Sequence, residues 1–331
     1  MKSILSFSVL LLILILTISC SSEDQIYLFR GETMGTTYSV KIVASNIDKE
    51  NIQIQIDELL KEVNLVFSTY IENSELSKIN KHQKNSSIQI TPVMRDLLLL
   101  SKKIYIESNG FYDPTVGPLV NLWGFGPSGK RNKPSKKEVQ SALRNVGLDK
   151  VSVSENSLSK KKSEIYLDFS SIAKGQGVDD VGLVLESRGF KNYLVEIGGE
   201  VRARGKKPDG SFWSIGIEKP SQGTGESIQK VIQLKDQSIA TSGSYRNYLK
   251  YGDVTFSHTI NPKTGYPVSH KLVSVSVIHK SCANADAWAT ALMALGPDKG
   301  LVIASALGLN AYFLVKEGQA FKEVSSENWL K

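Results

Sequence analysis

Two different spacings of apolar residues along the chain predict its secondary structure. In residues 51–67 apolar side chains recur every three or four positions, which is the spacing of an amphipathic helix. Thr91-Pro92 starts a second helix over residues 93–108, and Gly110 follows its end. A third, shorter helix is predicted over residues 136–146.

Short runs rich in β-branched and aromatic residues predict strands over residues 37–43, 165–169, 192–197, 213–218, 227–234, 238–241, 254–259, 273–279 and 311–316. Further helices are predicted over residues 177–188, 283–295 and 299–307. Most strands follow one another without a crossover helix, which favours an α+β fold with mixed or antiparallel sheets and packed helices. We expect one large domain of two fused lobes over residues 27–331.

The first 19 residues have the pattern of an export signal. Lys2 precedes an aliphatic run that is short for a membrane-spanning helix. Ser19-Cys20 resembles a bacterial lipobox, in which the cysteine is lipidated and becomes the mature N-terminus, although Thr17 stands where an aliphatic residue is usual. Residues 20–26 then form a polar tether. The alternative is an uncleaved membrane anchor.

Charge and cysteine content limit the classes of function that the chain could have. The net charge of +7 comes partly from lysine-rich stretches without interleaved arginine and aromatic residues. This pattern indicates solubility or attraction to anionic lipid and not nucleic-acid binding. Besides Cys20 the chain has only Cys282, which we interpret as a buried small residue at a strand-to-helix junction and not as a nucleophile.

Asp286 and Thr290 stand four residues apart in an apolar helical run. This spacing places both side chains on one helix face. A buried carboxylate requires a cation or several hydrogen bonds, and two hard oxygen ligands suggest a Mg²⁺ or Ca²⁺ site. The alternatives are that Asp286 caps the helix, or that Thr290 bonds to its own turn.

A second candidate is the segment 167–175, in which Asp168 precedes a turn of small residues that leads through Lys174 toward a helix N-terminus. Amide groups and a lysine at such a place suit a phosphate, while an N-cap with a surface lysine is the alternative. The pair Gly175 and Gly177 is weak support for a dinucleotide-binding loop, because Asp180 replaces the third glycine.

Two further segments contain candidate ligand contacts. Residues 110–126 combine glycines, which let a backbone approach a flat ligand, with aromatic rings that stack on one, although an irregular structural loop is also possible. Residues 256–267 contain His258 and then the tight-turn sequence Asn261-Pro262-x-x-Gly265.

Taken together, these motifs resemble the bacterial FAD:protein FMN transferases, the ApbE family. The matching segments occur in family order at residues 31–38, 67–70, 111–126, 168–175, 196–199, 241–248 and 258–267, followed by Asp286 and Thr290. They span nearly the whole mature chain, and the lipoprotein-like start agrees with them.

The resemblance implies a role for individual positions, with FAD held in a cleft between the lobes. FAD contacts are implied at Met34, Tyr70, Phe111, Tyr112, Asp113, Asp168, Lys174 and Ile260. Asp286, Thr290 and the backbone carbonyl at Ser171 match magnesium ligands. His258 is the candidate base, with simple hydrogen bonding to ligand or backbone as its alternative.

The implied reaction is Mg²⁺-dependent transfer of FMN from FAD to a threonine hydroxyl of a target protein, with AMP as leaving group. The implied acceptors are subunits of membrane redox complexes, of the sodium-pumping NADH:quinone reductase or Rnf type. A lipid-anchored enzyme facing the periplasm would reach them. Two alternatives are an FAD pyrophosphatase that gives FMN and AMP, and a non-catalytic flavin-binding lipoprotein.

Overall fold

A computed structural model describes residues 23–127, 133–220, 228–244, 248–251 and 254–330 of the chain. The predicted signal peptide, Cys20 and the first residues of the tether lie outside these ranges. Within them, no helix is both long enough and apolar enough to cross a membrane.

The helices in these ranges are α1 (Lys49–Phe67), α2 (Glu75–Lys81), α3 (Pro92–Glu107), α4 (Gly117–Trp123), α5 (Lys136–Leu143), α6 (Ala173–Ser187), α7 (Cys282–Leu295) and α8 (Pro297–Ala306). Side-chain caps fix several of their first turns. Thr91 accepts a hydrogen bond from the amide of Met94 at α3, and Ser281 accepts one from the amide of Asn284 at α7.

The strands are β1 (Gln25–Thr33), β2 (Thr36–Ala44), β3 (Ser87–Gln89), β4 (Val151–Val153), β5 (Ser157–Lys160), β6 (Tyr193–Ile197), β7 (Glu200–Arg204), β8 (Trp213–Glu218), β9 (Ile228–Leu234), β10 (Ser238–Gly243), β11 (Tyr248–Tyr251), β12 (Val254–Ser257), β13 (Leu272–His279), β14 (Asn310–Glu317) and β15 (Ala320–Ser325). Eight of them form one sheet in the order β1-β2-β6-β7-β10-β13-β14-β15, and its paired strands are antiparallel.

The large sheet is covered on both faces, because its strands alternate their side chains between two apolar clusters. On β2, Ile42 packs in the cluster that contains residues of α1 and α6. Its neighbour Val43 packs on the opposite face with Trp213 and Ile232 of the β8–β9 ribbon. One face of the sheet therefore carries helices, and the other carries the ribbon.

The sheet opens between β7 and β10. These strands pair only through Ser238 with Arg202 and Ile239 with Val201. Beyond those pairs β10 continues along β13 as far as Gly243, whereas β7 begins at Glu200, directly after the Gly198–Gly199 turn that joins it to β6. A gap thus forms at Glu200 that connects the helix face with the ribbon face.

The structure confirms the predicted α+β class with antiparallel sheets in a single domain, but one predicted strand is wrong. Residues 165–169 are mostly buried, yet they join none of the described sheets. Tyr166 instead forms an isolated parallel bridge with Val116. Apolar content therefore predicted the burial of this segment correctly and its pairing incorrectly.

Candidate functional site

A cleft of about 620 Å³ occupies the gap in the sheet. Its lining includes most of the side chains singled out from the sequence, namely Phe111, Tyr112, Asp113, Asp168, Ser171, Lys174, His258, Ile260, Asp286 and Thr290. These residues come from segments far apart in the chain, so the fold itself assembles them. Their roles toward FAD, magnesium and the reaction stay predictions.

The inner wall of the cleft is formed where α6 and α7 touch. A Cβ atom added to Gly175 would lie 2.5 Å from the carbonyl oxygen of Cys282 and 2.7 Å from the Cα of Ala283. Only glycine allows this backbone approach. The contact lets the Gly175 amide donate a hydrogen bond of 3.1 Å to Oδ2 of Asp286. Gly175 therefore serves helix packing, and the dinucleotide-loop interpretation is wrong.

Asp286 lies in the second turn of α7, because the helix begins at Cys282 with Ser281 as its cap. The alternative that Asp286 caps this helix is therefore wrong. The Asp286 residue is only 5% exposed. Thr290 follows one helical turn later and is partly buried. Both side chains line the cleft, as the spacing of four predicted.

Lys174 joins Asp286 and Glu200 in a buried charged cluster. Its ammonium lies 2.8 Å from Oε1 of Glu200, and the lysine side chain is 29% exposed. Lys174 is therefore not the surface lysine of the alternative interpretation. Burial alone would lower the pKa of Lys174, but the charges of Asp286 and Glu200 raise it above its ordinary value. The lysine stays charged in the cleft.

The two carboxylates of the cluster compete for this one cation. Burial raises the pKa of Glu200 to about 7, with Lys174 acting against the shift and Asp286 adding to it. Burial likewise raises the pKa of Asp286, while Lys174 and the Gly175 amide oppose the shift. Oε2 of Glu200 is buried without a hydrogen-bond partner. The cluster therefore has an excess of buried negative charge when both carboxylates are ionised.

This excess charge and the hard oxygen donors fit a divalent cation. Asp286, Thr290 and the backbone carbonyl of Ser171 border the cleft and could hold Mg²⁺. Among the described residues, no group of three or more His, Cys, Asp or Glu side chains forms a metal site. Such a cation would thus have Asp286 as its charged protein ligand, with neutral oxygens around it.

A second ionic network ties α7 to α6 behind the cleft. Asp179 of α6 is 6% exposed. Its Oδ1 lies 2.7 Å from the guanidinium of Arg202. Its Oδ2 accepts hydrogen bonds from the hydroxyl of Ser281 (2.8 Å) and the amide of Ala283 (3.1 Å), which are at the start of α7. Asp179 therefore fixes the position of the helix that carries Asp286.

The opposite wall of the cleft is built by the turn before α4, which lies in close contact with residues 166–168. The amide of Asp168 donates a 2.7 Å hydrogen bond to the carbonyl of Pro114. A Cβ on Gly117 would lie 2.6 Å from the carbonyl oxygen of Tyr166, so glycine is required there. This contact places Asp113 beside Asp168. Residues 110–126 are not simply an irregular loop, since they contain α4.

Asp113 and Tyr112 are buried parts of this wall. Oδ1 of Asp113 accepts hydrogen bonds from the amide (2.8 Å) and hydroxyl (2.6 Å) of Thr115, yet burial raises the Asp113 pKa to about 6. Tyr112 is 1% exposed and its hydroxyl lies 3.4 Å from that of Ser101. Since the ring belongs to the core, its removal would open a cavity as well as alter the cleft.

His258 and Ile260 enter the cleft from the segment after β12. The strand ends at Ser257, so His258 lies just beyond it and not on it as predicted. Its ring is 6.4 Å from that of Phe125 at 70°. The following turn is fixed by Asn261, whose Oδ1 accepts from the amide of Lys263 at 2.9 Å. The predicted tight turn is confirmed.

Met34 and Tyr70 do not line the cleft. Met34 has a φ of 50° in the two-residue turn between β1 and β2, a conformation that non-glycine residues adopt rarely. Tyr70 is 71% exposed, and its hydroxyl donates to the carbonyl of Phe125 at 3.4 Å. Burial and then the charge of Asp168 raise the Tyr70 pKa. Tyr70 thus lies near the Asp168 wall, outside the cleft.

Glu200 was not identified as a site residue from the sequence. The available signal was the segment Gly198-Gly199-Glu200, in which a paired glycine turn is followed by an alternation of charged and apolar residues. Interpreted as a hairpin turn and a second strand, it would have placed Glu200 on the opposite sheet face from Val201. The burial of Glu200 at the gap still depends on tertiary packing.

The raised pKa of Glu200 predicts a pH dependence of stability in metal-free protein. The folded state holds a proton on Glu200 up to about pH 7, whereas the unfolded state loses it near its ordinary value. The stabilisation of the folded state by protonated Glu200 is fully present below the pKa of the unfolded state, and it is lost as the pH rises through 7. Relative to Glu200→Gln, wild-type protein should lose roughly 3 kcal/mol of unfolding free energy between pH 4.5 and 8.

Urea unfolding in the presence of EDTA across this pH range measures the difference directly. Glu218→Gln is a matched control, because Glu218 also lines the cleft but lies outside the charged cluster. Parallel stability curves for wild-type protein and Glu200→Gln would show that Glu200 does not retain its proton in the folded state.

The α+β fold thus forms a cleft in which two buried carboxylates, a half-buried lysine and aromatic rings could bind a partly planar, charged molecule. Comparison with known proteins makes this specific. The model of the ApbE family matches residues 34–313. An FAD:protein FMN transferase of Vibrio cholerae is 40% identical over 319 residues, covering 96% of this chain and 95% of the relative.

Other relatives and solved structures agree with this match. An FAD:protein FMN transferase of Haemophilus influenzae is 38% identical, covering 100% of this chain and 98% of the relative. The solved flavin transferase ApbE from Vibrio cholerae superposes with a TM-score of 0.85 at 39% identity, covering 92% of this chain and 98% of that one. The apo flavinyl transferase ApbE of Pseudomonas stutzeri also gives 0.85, at 38% identity and with 92% and 96% coverage.

The chain therefore belongs to the ApbE family. The family predicted from the order of the motifs is confirmed, and so is the prediction of an enzyme of the transferase class.

Proposed function

We propose that this protein transfers FMN from FAD to a threonine hydroxyl of an acceptor protein, in the presence of Mg²⁺, and releases AMP. The observation that carries the proposal is the buried cluster of Lys174, Glu200 and Asp286 in a cleft flanked by aromatic residues. The charges of this cluster suit a pyrophosphate with a divalent cation. The relatives of the chain are named FAD:protein FMN transferases, which supports the same function.

FAD would lie along the wall that contains Phe111, Asp113 and Asp168. The exposed ring of Tyr70 would close over the ligand from outside the cleft, because it already lies near Asp168. Lys174 would face the pyrophosphate from the first turn of α6, where it remains charged. Met34 would act from its strained turn between β1 and β2.

Asp286, Thr290 and the Ser171 carbonyl are the proposed holders of Mg²⁺. When bound, this ion would supply neutralisation of charge at the phosphate oxygens. The Gly175 amide and the Asp179 network keep the carboxylate and its helix in place. These contacts hold the site residues in position before a substrate binds. Such preorganisation is important because phosphoryl-type transfer depends mainly on positioning and charge stabilisation.

The reaction proposed here forms one P–O bond and breaks another. The threonine hydroxyl oxygen attacks the FMN-side phosphorus, and the bond from that phosphorus to the AMP oxygen breaks. His258 would accept the hydroxyl proton, and AMP would leave with the bridging oxygen. The product is FMN held by a phosphodiester bond. A hydroxyl from water in place of threonine would instead give free FMN.

Variants of Tyr70 and His258 should separate FAD binding from chemistry. Tyr70→Ala should weaken FAD affinity by roughly 1–3 kcal/mol through the loss of a ring contact. His258→Ala should slow transfer with little change in affinity, since a base matters only as the hydroxyl attacks. Equilibrium FAD titration and single-turnover AMP release on each variant give the two quantities.

His82→Ala is the control for this pair, because His82 does not line the cleft. Its Nε2 lies 2.9 Å from the Ser86 hydroxyl in an exposed hydrogen bond. His82→Ala should leave both quantities unchanged. If His258→Ala loses FAD affinity as strongly as Tyr70→Ala while bound FAD reacts at the normal rate, His258 is a ligand contact and the proposed base is wrong.

We also propose that the mature protein is lipid-anchored through Cys20 in the bacterial cell envelope and faces the periplasm, where redox-complex subunits of the NADH:quinone reductase or Rnf type would be accessible. The lipobox-like sequence before Cys20 supports this location. Fractionation with a labelled fatty acid tests it, and a soluble wild-type protein without label would disprove the anchor.

A further inference from the structure

The cleft has a second arm that the proposed FAD site does not use. The FAD and metal residues within the cleft surround the charged cluster on the helix side of the gap. Other lining residues are Ser39 and Lys41 of β2, Glu196 of β6 and all of residues 214–218 of β8. We name this second arm the ribbon groove.

Strand alternation places the ribbon groove on the opposite face of the sheet. Tyr38 and Val40 pack in the cluster with α1 and α6, so Ser39 and Lys41 between and after them face the ribbon. In the same way, Val201 packs with the ribbon, whereas Glu200 pairs with Lys174 on α6. The two arms therefore meet at the Gly198–Gly199 turn, where the sheet is open.

One wall of the groove is the edge of a strand. Five consecutive residues of β8 line it, although neighbouring side chains in a strand point to opposite faces. Their backbone edge must therefore border the cleft. In the described residues β8 pairs with β9 on one side, and no strand is paired to its other side. Such an edge is a template for the addition of an extended peptide.

The floor of the groove combines apolar side chains of the sheet and ribbon, such as Val201 and Ile217, with a fixed charged pair. Oε1 of Glu196 accepts a 2.8 Å hydrogen bond from the amide of Gly199, and Lys41 interacts with the same carboxylate. Along β8 the outward positions are Ser214 and Gly216, which are small and exposed. An open strand edge beside this floor offers the amide and carbonyl groups with which an extended peptide backbone pairs.

We propose that the acceptor protein places an extended segment in the ribbon groove as an added strand on β8, so that its hydroxyl reaches the charged cluster across the Gly198–Gly199 turn. The proposal rests on the proposed function, because it supplies the protein substrate of that same site. It assigns FAD to one arm of the cleft and the acceptor to the other.

A tryptophan placed at Gly216 tests this assignment. Gly216→Trp should raise the apparent KM for the acceptor roughly tenfold or more by crowding the free edge of β8, while the FAD dissociation constant changes less than about twofold. The matched control is Val231→Trp. Val231 is the cross-strand partner of Gly216 and is 61% exposed, but it does not line the cleft.

The probe is a flavin-free acceptor subunit of a sodium-pumping NADH:quinone reductase, varied in concentration at saturating FAD. Equal acceptor KM values for Gly216→Trp and Val231→Trp would overturn the assignment of the acceptor to the ribbon groove. A loss of FAD affinity in Gly216→Trp as large as its rise in acceptor KM would overturn the assignment as well. If Gly216→Trp fails to fold, Ser214→Trp replaces it, since Ser214 is exposed. Absence of transfer by wild-type protein would instead overturn the proposed function, and the groove with it.

Discussion

Asp286→Ala should reduce FMN transfer by about 10³-fold or more while the protein remains folded. The carboxylate is the charged ligand in the proposed donor set, and the remaining oxygens of Thr290 and Ser171 are neutral. Its removal leaves Lys174 paired with Glu200 at 2.8 Å, so the buried cluster keeps one ion pair. Single-turnover AMP release at a series of Mg²⁺ concentrations measures the loss.

Asp286→Asn is the sharper form of this test. The amide oxygen can still accept the 3.1 Å bond from Gly175, so the contact between the helices is preserved while the charge is removed. Mg²⁺ should raise the melting temperature of wild-type protein in the presence of FAD, but not that of Asp286→Asn. Transfer by Asp286→Asn at the wild-type rate in low Mg²⁺ would contradict the metal assignment.

Gly175→Ala should lower the unfolding free energy by about 2–3 kcal/mol. The new methyl group would lie 2.5 Å from the carbonyl oxygen of Cys282 and 2.7 Å from the Cα of Ala283. Both are backbone atoms, so α6 and α7 must separate. This cost exceeds the gain of about 1 kcal/mol from replacing glycine by alanine within a helix. Urea unfolding provides the measurement.

Gly177→Ala, one half-turn further along α6, is the control. Its new methyl group would lie 2.9 Å from the terminal methyl of Met34, which a flexible side chain can withdraw. This variant should therefore lose less than about 1 kcal/mol. Equal stability of the two variants would show that the close contact between α6 and α7 is not required for the fold.

Much of the charged half of the site could be predicted from the sequence, because its signals are local. The spacing of Asp286 and Thr290 requires only that the run is a helix, and alanine and leucine make it one. The order of small-residue motifs likewise indicated the family without any contact information. The strands of the large sheet were mostly recognisable from their β-branched and aromatic residues.

The partners of the charged cluster could not be predicted in this way, because long-range packing determines them. Glu200 and Arg202 belong to a short strand with several charged residues, and their burial depends on Lys174 and Asp179 of α6. The role of Gly175 was also hidden. A glycine needed against another helix has the same local sequence as one needed at a phosphate.

The arrangement of the cleft explains how one site could accommodate two different substrates. The arm of the cleft on the helix face of the sheet would offer charge and aromatic rings to FAD, and the ribbon groove would offer an open strand edge to the acceptor. They meet at the point where β7 and β10 separate. The gap beside the buried Glu200 therefore connects the two arms.

Covalent transfer of FMN to a protein changes the intact mass of the acceptor, which mass spectrometry measures. The purified protein is incubated with FAD, Mg²⁺ and a flavin-free acceptor subunit, with an acceptor lacking the modified threonine as control. The proposed transfer requires a mass increase of one FMN minus one water, and AMP in equal amount. AMP and free FMN with an unmodified acceptor, or no AMP at all, would contradict it.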